Sequence, residues 1–591
     1  MAGKAIELEE AMAPERLAKQ IAGLYTEWEM RRTVWLGRTK EIREYIFATD
    51  THNTTNTTLP WKNSVHIPKL CQIRDNLQAN YMAALFPNDR PISWEGDDES
   101  ADAVEKRKVI ESYMENKMRM SKFRTEVAKC VNDFIDYGNC FGMVEFVSES
   151  TVDPITGETI PGYVGPRLVR ISPLDIVFDP TALRFEDTPK IIRSLKTLAS
   201  LKSEIDSKPE LGYMEEIFKK IHDKRHQFQG TTAADYTKNA QYQVDGFSSW
   251  ADYMKSDFVE VLEFYGDLYN SETQELEKNQ LVTVVDRTLV IRKETNPSWL
   301  GTAPIYHTGW RLRPDNLYAM GPLDNLVGMQ YRIDHLENAK SDAYDLIIHP
   351  VIKVVGLVED FNYEPGSRIF VGDDGDVDFM RPDTTMLSAD TQIAMYEAKM
   401  EEMAGAPKQA MGFRTPGEKT AYEVQTLENG ANRIFVNKTS YFEEIFLEPI
   451  INTMLEVARR NMGPSETIRV VDDQFGAVAF MKVTKEDITA RGKIRPVGAR
   501  HFARNATIIQ NLTQMYQTIG QDPAIMNHFS GLKMAKVVED LLGLDRFDLV
   551  QENVRVMEQA QTQQLMGAAQ QVQMEGMAPD VGVPQGQPNL G

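Results

Sequence analysis

The chain has 591 residues and a mass of 67.1 kDa, and its 65 Lys and Arg residues against 87 Asp and Glu residues give a net charge of −22. Hydrophobic residues make up 42% and aromatic residues 9% of the chain, which excludes a wholly disordered protein and a collagen-like fibre. At about 150 residues per domain, the length predicts about three or four structural units. Because affinity for phosphate backbones comes mostly from clustered Lys and Arg, the acidic balance argues against a conventional nucleic-acid binder.

The cysteines and the apolar stretches indicate in which cellular compartment the protein folds. Cys71, Cys130 and Cys140 form no CxxC pair, which argues against a disulfide framework and a zinc ribbon. The most apolar internal stretch, 346–358, is interrupted by a histidine, a proline and a lysine, and the first residues hold no apolar run of signal-peptide length. The sequence therefore predicts a protein of a reducing compartment, with no secretion signal and no membrane-spanning segment.

The first half of the chain combines helical and strand-like patterns. Apolar residues at helical spacing predict one amphipathic helix over about 14–46, another over about 70–85, and two more over about 101–137. Segments with strand character follow, at 140–147, 168–171, 257–264 and 281–291. The first two strands are predicted to form a hairpin with a long loop. This half is predicted to be α+β, within a chain that is mainly helical.

From Gly321 the pattern changes to long helices. One helical face is predicted to continue to Pro350, a β-rich insert follows, and a second helix begins near Ser388 and ends before Gly405. A very long helix is predicted from Gly417 to about residue 462, with bends at Gly430 and Pro449. Strands at 467–471 and 477–483, helices over about 501–571 and a disordered tail complete the prediction.

The segment from Gly412 to Thr420 is the nearest approach to a nucleotide-binding loop. A phosphate-binding loop requires glycine immediately before its Lys-Thr pair and a buried strand before the loop. Glu418 stands at the glycine position here, and an amphipathic helix precedes the segment. The pattern therefore favours a capped helix start, with Thr415 as the capping residue, over an ATP site.

Two other patterns are typical of metal sites but lack a required residue. His222 and His226 are four apart, but no glutamate follows the first histidine as a zinc protease requires, so a solvated helix face is favoured. Asp374, Asp376 and Asp378 copy the start of a calcium loop, but its obligatory glycine and glutamate are replaced. Since no catalytic triad pattern stands out either, the prediction is a protein that is not an enzyme, with no catalytic residues, metal ligands or cofactor.

Several short sequence motifs occur in the same order as in the portal proteins of short-tailed, podovirus-like bacteriophages, which the chain resembles. The motifs lie between Leu59 and Met462 and are LPWKNSVHIP (59–68), IRDNL (73–77), LFP (85–87), SPLDIVFDP (172–180), YAMGP (318–322), LENA (336–339), DA (342–343), HP (349–350) and GEKTA (417–421). Each motif is weak alone, but their shared order covers most of the chain.

The resemblance implies a head-to-tail connector of twelve subunits, a ring at one capsid vertex with a central channel for double-stranded DNA. Its parts would be an N-terminal α+β wing (1–320), stem helix 1 (321–349), a β-containing clip (350–387), stem helix 2 (388–405), a channel loop (406–416), a spine helix with returning wing strands (417–500), a helical crown (501–575) and a disordered tail (576–591). Implied partners are the terminase large subunit, a tail adaptor or head completion protein, and the major capsid and scaffolding proteins. The implied location is the virion, after assembly in the host cytoplasm.

The resemblance also assigns roles to individual residues. Lys408, Arg414 and Lys419 are predicted to face DNA at the channel loop, with ordinary solvated side chains as the alternative. Hydrophobic residues on the two stem helices are predicted to contact neighbouring subunits, with packing inside one subunit as the alternative; they are Leu326, Ile333, Ile393 and Met400. An acidic lumen that repels phosphates would let DNA slide without sticking.

Two other functions stay open. An ATP-driven DNA-packaging motor subunit would use 412–420 as its phosphate loop, and a scaffold protein without a channel would form no closed ring. Nucleotide binding distinguishes the first from a portal, and electron microscopy distinguishes the second.

Overall fold

The structure is a computed structural model that describes the chain in segments. They are residues 6–8, 14–47, 63, 65–87, 91–96, 101–152, 159–207, 213, 217–226, 256–270, 274–298, 303–348, 351–356, 358–359, 370–371, 375–380, 388–404, 433–472, 477–489, 491–498, 512 and 534–538. The chain divides into two compact units, Met1–Ala499 and Arg500–Gly591. Nearly all described residues belong to the first unit, and only 512 and 534–538 belong to the second.

The described chain mixes helices and strands, which confirms the predicted α+β class, and helical residues are the more numerous. The helices are α1 (Pro14–Arg31), α2 (Thr33–Phe47), α3 (Lys69–Leu85), α4 (Ala101–Met120), α5 (Phe123–Asp136), α6 (Leu198–Ser207), α7 (Ile217–His226), α8 (Val327–Ile348), α9 (Ala389–Ala404), α10 (Arg433–Phe442) and α11 (Glu448–Asn461). The strands are β1 (Ile6–Leu8), β2 (Ile92–Gly96), β3 (Asn139–Val152), β4 (Thr159–Ile171), β5 (Ile176–Phe178), β6 (Lys190–Thr197), β7 (Phe258–Asn270), β8 (Glu275–Val285), β9 (Leu289–Thr295), β10 (Ile305–Gly309), β11 (Arg311–Arg313), β12 (Asn316–Met320), β13 (Val351–Val355), β14 (Val358–Glu359), β15 (Phe370–Val371), β16 (Asp376–Met380), β17 (Ser465–Asp472), β18 (Ala477–Thr484) and β19 (Gly492–Pro496).

Two sheets organise the N-terminal half. The larger sheet has the antiparallel order β5-β6-β7-β8-β9, and β1 adds in parallel to the end of β7. The smaller sheet has the order β10-β3-β4, and its β3–β4 pair is the predicted hairpin. Apolar side chains of α1 and of the inner strands of the larger sheet form a separate core, because α1 packs its amphipathic face on that sheet.

The prediction of a single helix over 14–46 is wrong, because the helix is interrupted at Arg32, between α1 and α2. The Arg32 side chain is 2% exposed, and its guanidinium donates hydrogen bonds to the backbone carbonyls of Pro173, Leu174 and Ile176. These carbonyls belong to the loop before β5 and to β5 itself. A charged side chain can be buried only with such partners, so the break brings α1 and α2 to either side of an anchoring contact.

The single strand predicted over 281–291 is also wrong, since the structure divides it into β8 and β9. Asp286 and Arg287 have φ values of +48° and +56°. Two consecutive left-handed residues are the geometry of a tight hairpin turn, which short polar residues such as aspartate tolerate. The uninterrupted valine-rich pattern on both sides of the turn conceals it in the sequence.

The long helix predicted from Gly417 is described from Arg433 onward and ends where Gly463 and Pro464 were predicted to stop it. Its α10 and α11 parts are joined by a π-helical turn, Glu443–Leu447, directly before Pro449. Proline donates no backbone hydrogen bond, and a π turn re-routes the hydrogen bonds that a helical proline interrupts. The predicted irregularity at Pro449 is therefore confirmed, whereas Gly430 lies outside the described residues.

The largest hydrophobic core joins helices from both halves of the chain. Its buried members come from α3, α5, α8, α9 and α11, and from the strand pairs β2–β19 and β17–β18. Phe442 and Phe446 are both fully buried in it, with ring centroids 5.1 Å apart and ring planes tilted by 48°. The two stretches 467–471 and 477–483 that were predicted as strands form the β17–β18 pair, which is confirmed.

Candidate functional site

Helices α8 and α9 lie side by side, and we call them the helix pair. Because the Lys340 ammonium on the last third of α8 lies 2.8 Å from the Asp390 carboxylate at the start of α9, the two helices run antiparallel. The segment that joins them carries two antiparallel strand pairs, β13–β16 and β14–β15, and we call it the β insert. The predicted sequence of helix, β-rich insert and returning helix is thereby confirmed.

The predicted subunit contacts on these helices require a correction. Leu326, Ile333 and Met400 are fully buried within their own chain, and Ile393 is 8% exposed. All four belong to the largest core, where they pack against α3 and its neighbours. A side chain covered by its own chain offers no surface to another subunit, so the structure supports the alternative of packing inside one subunit.

An extended segment before α3 lies along α8 and is held by a row of polar side chains, which we call the polar ladder. Its members recur every four residues and therefore lie on one helix face: Gln330, Asp334, Asn338 and Asp342. Each one accepts a hydrogen bond from a backbone amide of the segment, at Leu70 (3.1 Å), Ile67 (3.1 Å), Val65 (2.6 Å) and Asn63 (3.0 Å), respectively.

Side chains of the same segment strengthen this attachment. His66 Nδ1 lies 2.8 Å from Asp334 Oδ2, and Asn63 Nδ2 donates to Asp342 Oδ1 at 2.7 Å. At about 1 kcal/mol net for a typical hydrogen bond, the ladder contributes several kcal/mol to holding α8 in place. Sequence reasoning missed this contact, although the four-residue repeat of polar residues on a predicted helix was a usable signal.

A buried ion pair fastens the second helix to the same region. Lys69, the first residue of α3, places its Nζ atom 2.7 Å from Glu401 Oε1 on α9, and both side chains are less than a tenth exposed. Because the ladder binds α8 and this ion pair binds α9, Asn63 and residues 65–70 hold both helices at once. The end of the helix pair that lies near α3 is therefore attached to the rest of the unit through both of its helices.

The opposite end of the helix pair exposes hydrophobic side chains, and we call this surface the apolar end. Its members, with their exposed fractions, are Tyr344 (46%), Leu346 (42%), Ile347 (40%), Ile348 (63%), Val354 (46%) and Val355 (45%). Val354 and Val355 point to opposite sides of β13, so both sides of the β13–β16 ribbon are exposed there. An isolated two-stranded ribbon is marginally stable in water, and exposed apolar side chains in this number make the region a candidate interaction surface.

Several predicted site residues lie outside the described residues. They are Lys408, Arg414 and Lys419, together with the loop 406–416 and the candidate phosphate loop 412–420. Asp376 and Asp378 lie on β16, which pairs with β13. In the part of the chain that the structure describes, no group of three His, Cys, Asp or Glu side chains is placed to hold a metal ion, and no helix is both long and apolar enough to cross a bilayer.

Comparisons with known proteins assign no relationship. No protein-family model matches the chain. No curated protein matches it either. The geometry of the helix pair, the β insert and their attachment therefore stands as the main structural observation bearing on function.

Proposed function

We propose that this chain is the subunit of a portal, a ring at one capsid vertex through which double-stranded DNA passes during genome packaging and ejection. The observation that carries the proposal is the helix pair, which is anchored at one end and bears an exposed apolar surface and a small β insert at the other. Helices arranged in this way around a symmetry axis would form the stem of a ring, with the β insert as its clip.

The apolar end supplies the subunit contacts in this proposal. The four residues that the sequence first suggested are covered by their own chain, whereas Ile348 and Val354 are available to a neighbour. In a head-to-tail ring, each subunit uses one face of its helix pair and of its β insert against a different face of the next subunit. The unfinished β13–β16 ribbon would gain packing partners there.

The charge of the chain also supports a conduit. With a net charge of −22, a ring of many copies would carry a strongly negative field that repels phosphates, so DNA would not adhere along the channel. The proposed partners follow from the role: the terminase large subunit and then a tail adaptor at the β insert, and the major capsid and scaffolding proteins around the ring. The proposed location is the virion.

Native mass is the measurement that tests this proposal. Twelve copies of 67.1 kDa give about 805 kDa, which light scattering distinguishes from a monomer, and negative-stain images viewed down the axis would show a central hole. If the full chain forms only dimers or open filaments when scaffolding protein is present, the proposal is wrong.

A matched pair of variants tests the role of the apolar end. Ile348→Asp places a charge on that surface, whereas Leu183→Asp places the same charge on a side chain that is 84% exposed elsewhere. Because burying an unpaired carboxylate at an interface costs several kcal/mol, we expect Ile348→Asp alone to abolish the ring. Rings of equal stability from both variants would contradict the assignment of the interface.

The ATP-driven motor is tested by calorimetry on the same protein. A portal binds no nucleotide, whereas micromolar ATP binding that disappears in Lys419→Ala would favour the motor.

A further inference from the structure

Positive side chains of β11 and α10 lie over the ring of Trp310, the residue directly before β11. The Lys438 ammonium lies 4.9 Å and the Arg311 guanidinium 5.2 Å from the Trp310 ring centroid. Arg313 lies two residues further along β11, and the charges of Arg311, Arg313 and Arg38, the last on α2, act together on the carboxyl group of Asp324. We call Arg38, Arg311, Arg313 and Lys438 the cationic cluster.

The cationic cluster is not neutralised by the described part of the chain. None of its four members forms an ion pair with a carboxylate among the described residues, although most other arginines described there do. Asp324 lies nearby, but its Oδ2 accepts the backbone amide of Gly321 at 3.0 Å, and burial raises its pKa while the three arginines lower it. The cationic cluster therefore presents four positive side chains without an ion-pair partner among the described residues, in a protein of net charge −22.

Neutral groups fix two of these cations in position. The Lys438 ammonium donates to the backbone carbonyl of Trp310, and the Arg313 guanidinium donates twice to the carbonyl of Tyr318. Carbonyl oxygens orient a cation without cancelling its charge. Burial lowers the pKa of Lys438, and the like charge of neighbouring Arg311 lowers it further by repulsion. An anion bound here would relieve that repulsion at little cost in side-chain ordering.

We propose that the cationic cluster binds phosphate groups of a DNA backbone, with exposed Arg38, Arg311 and Arg313 as its surface contacts and with Lys438 and Arg313 held in place by backbone carbonyls. Guanidinium groups match phosphate oxygens in geometry and stay charged, so such contacts need no particular base sequence. The inference rests on the proposed function as a DNA conduit and adds to it one place where the acidic protein holds DNA rather than repelling it.

The test uses the full-length protein and a short fluorescent DNA duplex of random sequence, with anisotropy measured from about 25 to about 200 mM salt. Loss of two phosphate contacts lowers the slope of log K against log salt by about 2 × 0.9, or about 1.8, for each subunit that contacts the duplex. We therefore expect Arg38→Gln/Arg311→Gln to bind more weakly and with a shallower slope, with an unchanged melting temperature.

The control variant is Lys482→Gln/Lys485→Gln, which removes the same charge from two exposed lysines at the β17–β18 hairpin. It should keep the wild-type slope. No binding by the wild-type protein at low salt, or equal slopes in all three proteins, would overturn the inference. Loss of affinity for polyglutamate rather than for DNA would also overturn it, since the cluster would then be a docking surface for an acidic protein.

The native mass of each variant separates this inference from the proposed function. If the rings form but the slopes are equal, only the cationic cluster has been misassigned. If the wild-type protein forms no ring, the portal assignment fails whatever the slopes are.

Discussion

His307 is expected to make the folded state sensitive to acid. Its ring on β10 stacks on Phe141, with ring centroids 4.6 Å apart and an interplanar angle of 20°. His307 Nε2 lies 3.1 Å from Asn139 Oδ1, which also accepts the backbone amide of Ala319 at 2.9 Å. Because that oxygen is an acceptor in both contacts, Nε2 carries the hydrogen, and the protonation state of the ring is decided by its burial.

Burial, and then the nearby positive charge of Lys190, lower the pKa of His307 from 6.5 to about 3. In the unfolded chain the imidazole is protonated near its ordinary pKa, so between pH 6.5 and pH 3 the unfolded state binds more protons than the native state. The stability contributed by the neutral ring is therefore complete above pH 6.5 and is lost as the pH falls toward 3. The difference of 6.5 − 3, at about 1.36 kcal/mol per pH unit, amounts to about 5 kcal/mol.

The assay is urea unfolding of the wild-type protein and of His307→Phe at a series of pH values between those limits. Phenylalanine keeps the aromatic stacking but cannot be protonated, so the variant should lose less stability on acidification, by about 5 kcal/mol at the lower limit. Taking the difference between the two proteins cancels every other titration that they share. His335→Phe, at a half-exposed position on α8, is the control and should change the pH dependence much less. If wild type and His307→Phe follow the same pH dependence, the argument from burial is refuted.

Three further outcomes are expected from buried groups. Arg32→Met removes the donors to three backbone carbonyls and is expected to cost about 3 kcal/mol, seen as a lower melting temperature; no change would contradict the anchoring role. Glu260→Gln removes the carboxylate between two buried arginines and should cost about 3–5 kcal/mol at neutral pH. Since these arginines hold the pKa of Glu260 at about 2, its contribution is present above about pH 4.5 and disappears toward pH 2, so the difference in melting temperature should shrink over that range. With a thiol reagent near pH 8, Cys71 should react first because it is partly exposed, although burial raises its thiol pKa as well; Cys130 and Cys140 are fully buried and should react only on unfolding.

Local patterns predicted most elements but failed where a distant contact decides the geometry. The helix at Lys69–Leu85 and the β17–β18 pair follow the predicted ranges closely, because their periodicity is uninterrupted and their ends carry turn residues. The β3–β4 hairpin was predicted as a pair, but its strands extend well beyond the predicted 140–147 and 168–171, into the segment predicted as a long loop. The break at Arg32 has no local signal, since its cause is a set of carbonyls more than a hundred residues away. Which hydrophobic side chains of α8 face the chain's own core is equally invisible without its neighbours.

The sequence by itself determined that the chain folds into a mixed helix and strand protein, and it placed the two helices on either side of a β insert. The spacing of hydrophobic residues, the capping residues and the prolines determine local structure within a few residues of their own positions. Secondary structure can therefore be predicted from them along the chain. Only the tertiary structure decided which surfaces are covered. It places Leu326 and Met400 in the core, leaves Ile348 and Val354 exposed, and brings Arg311 and Lys438 to one indole ring. Burial and charge clustering depend on segments that are hundreds of residues apart, and folding alone brings these segments together.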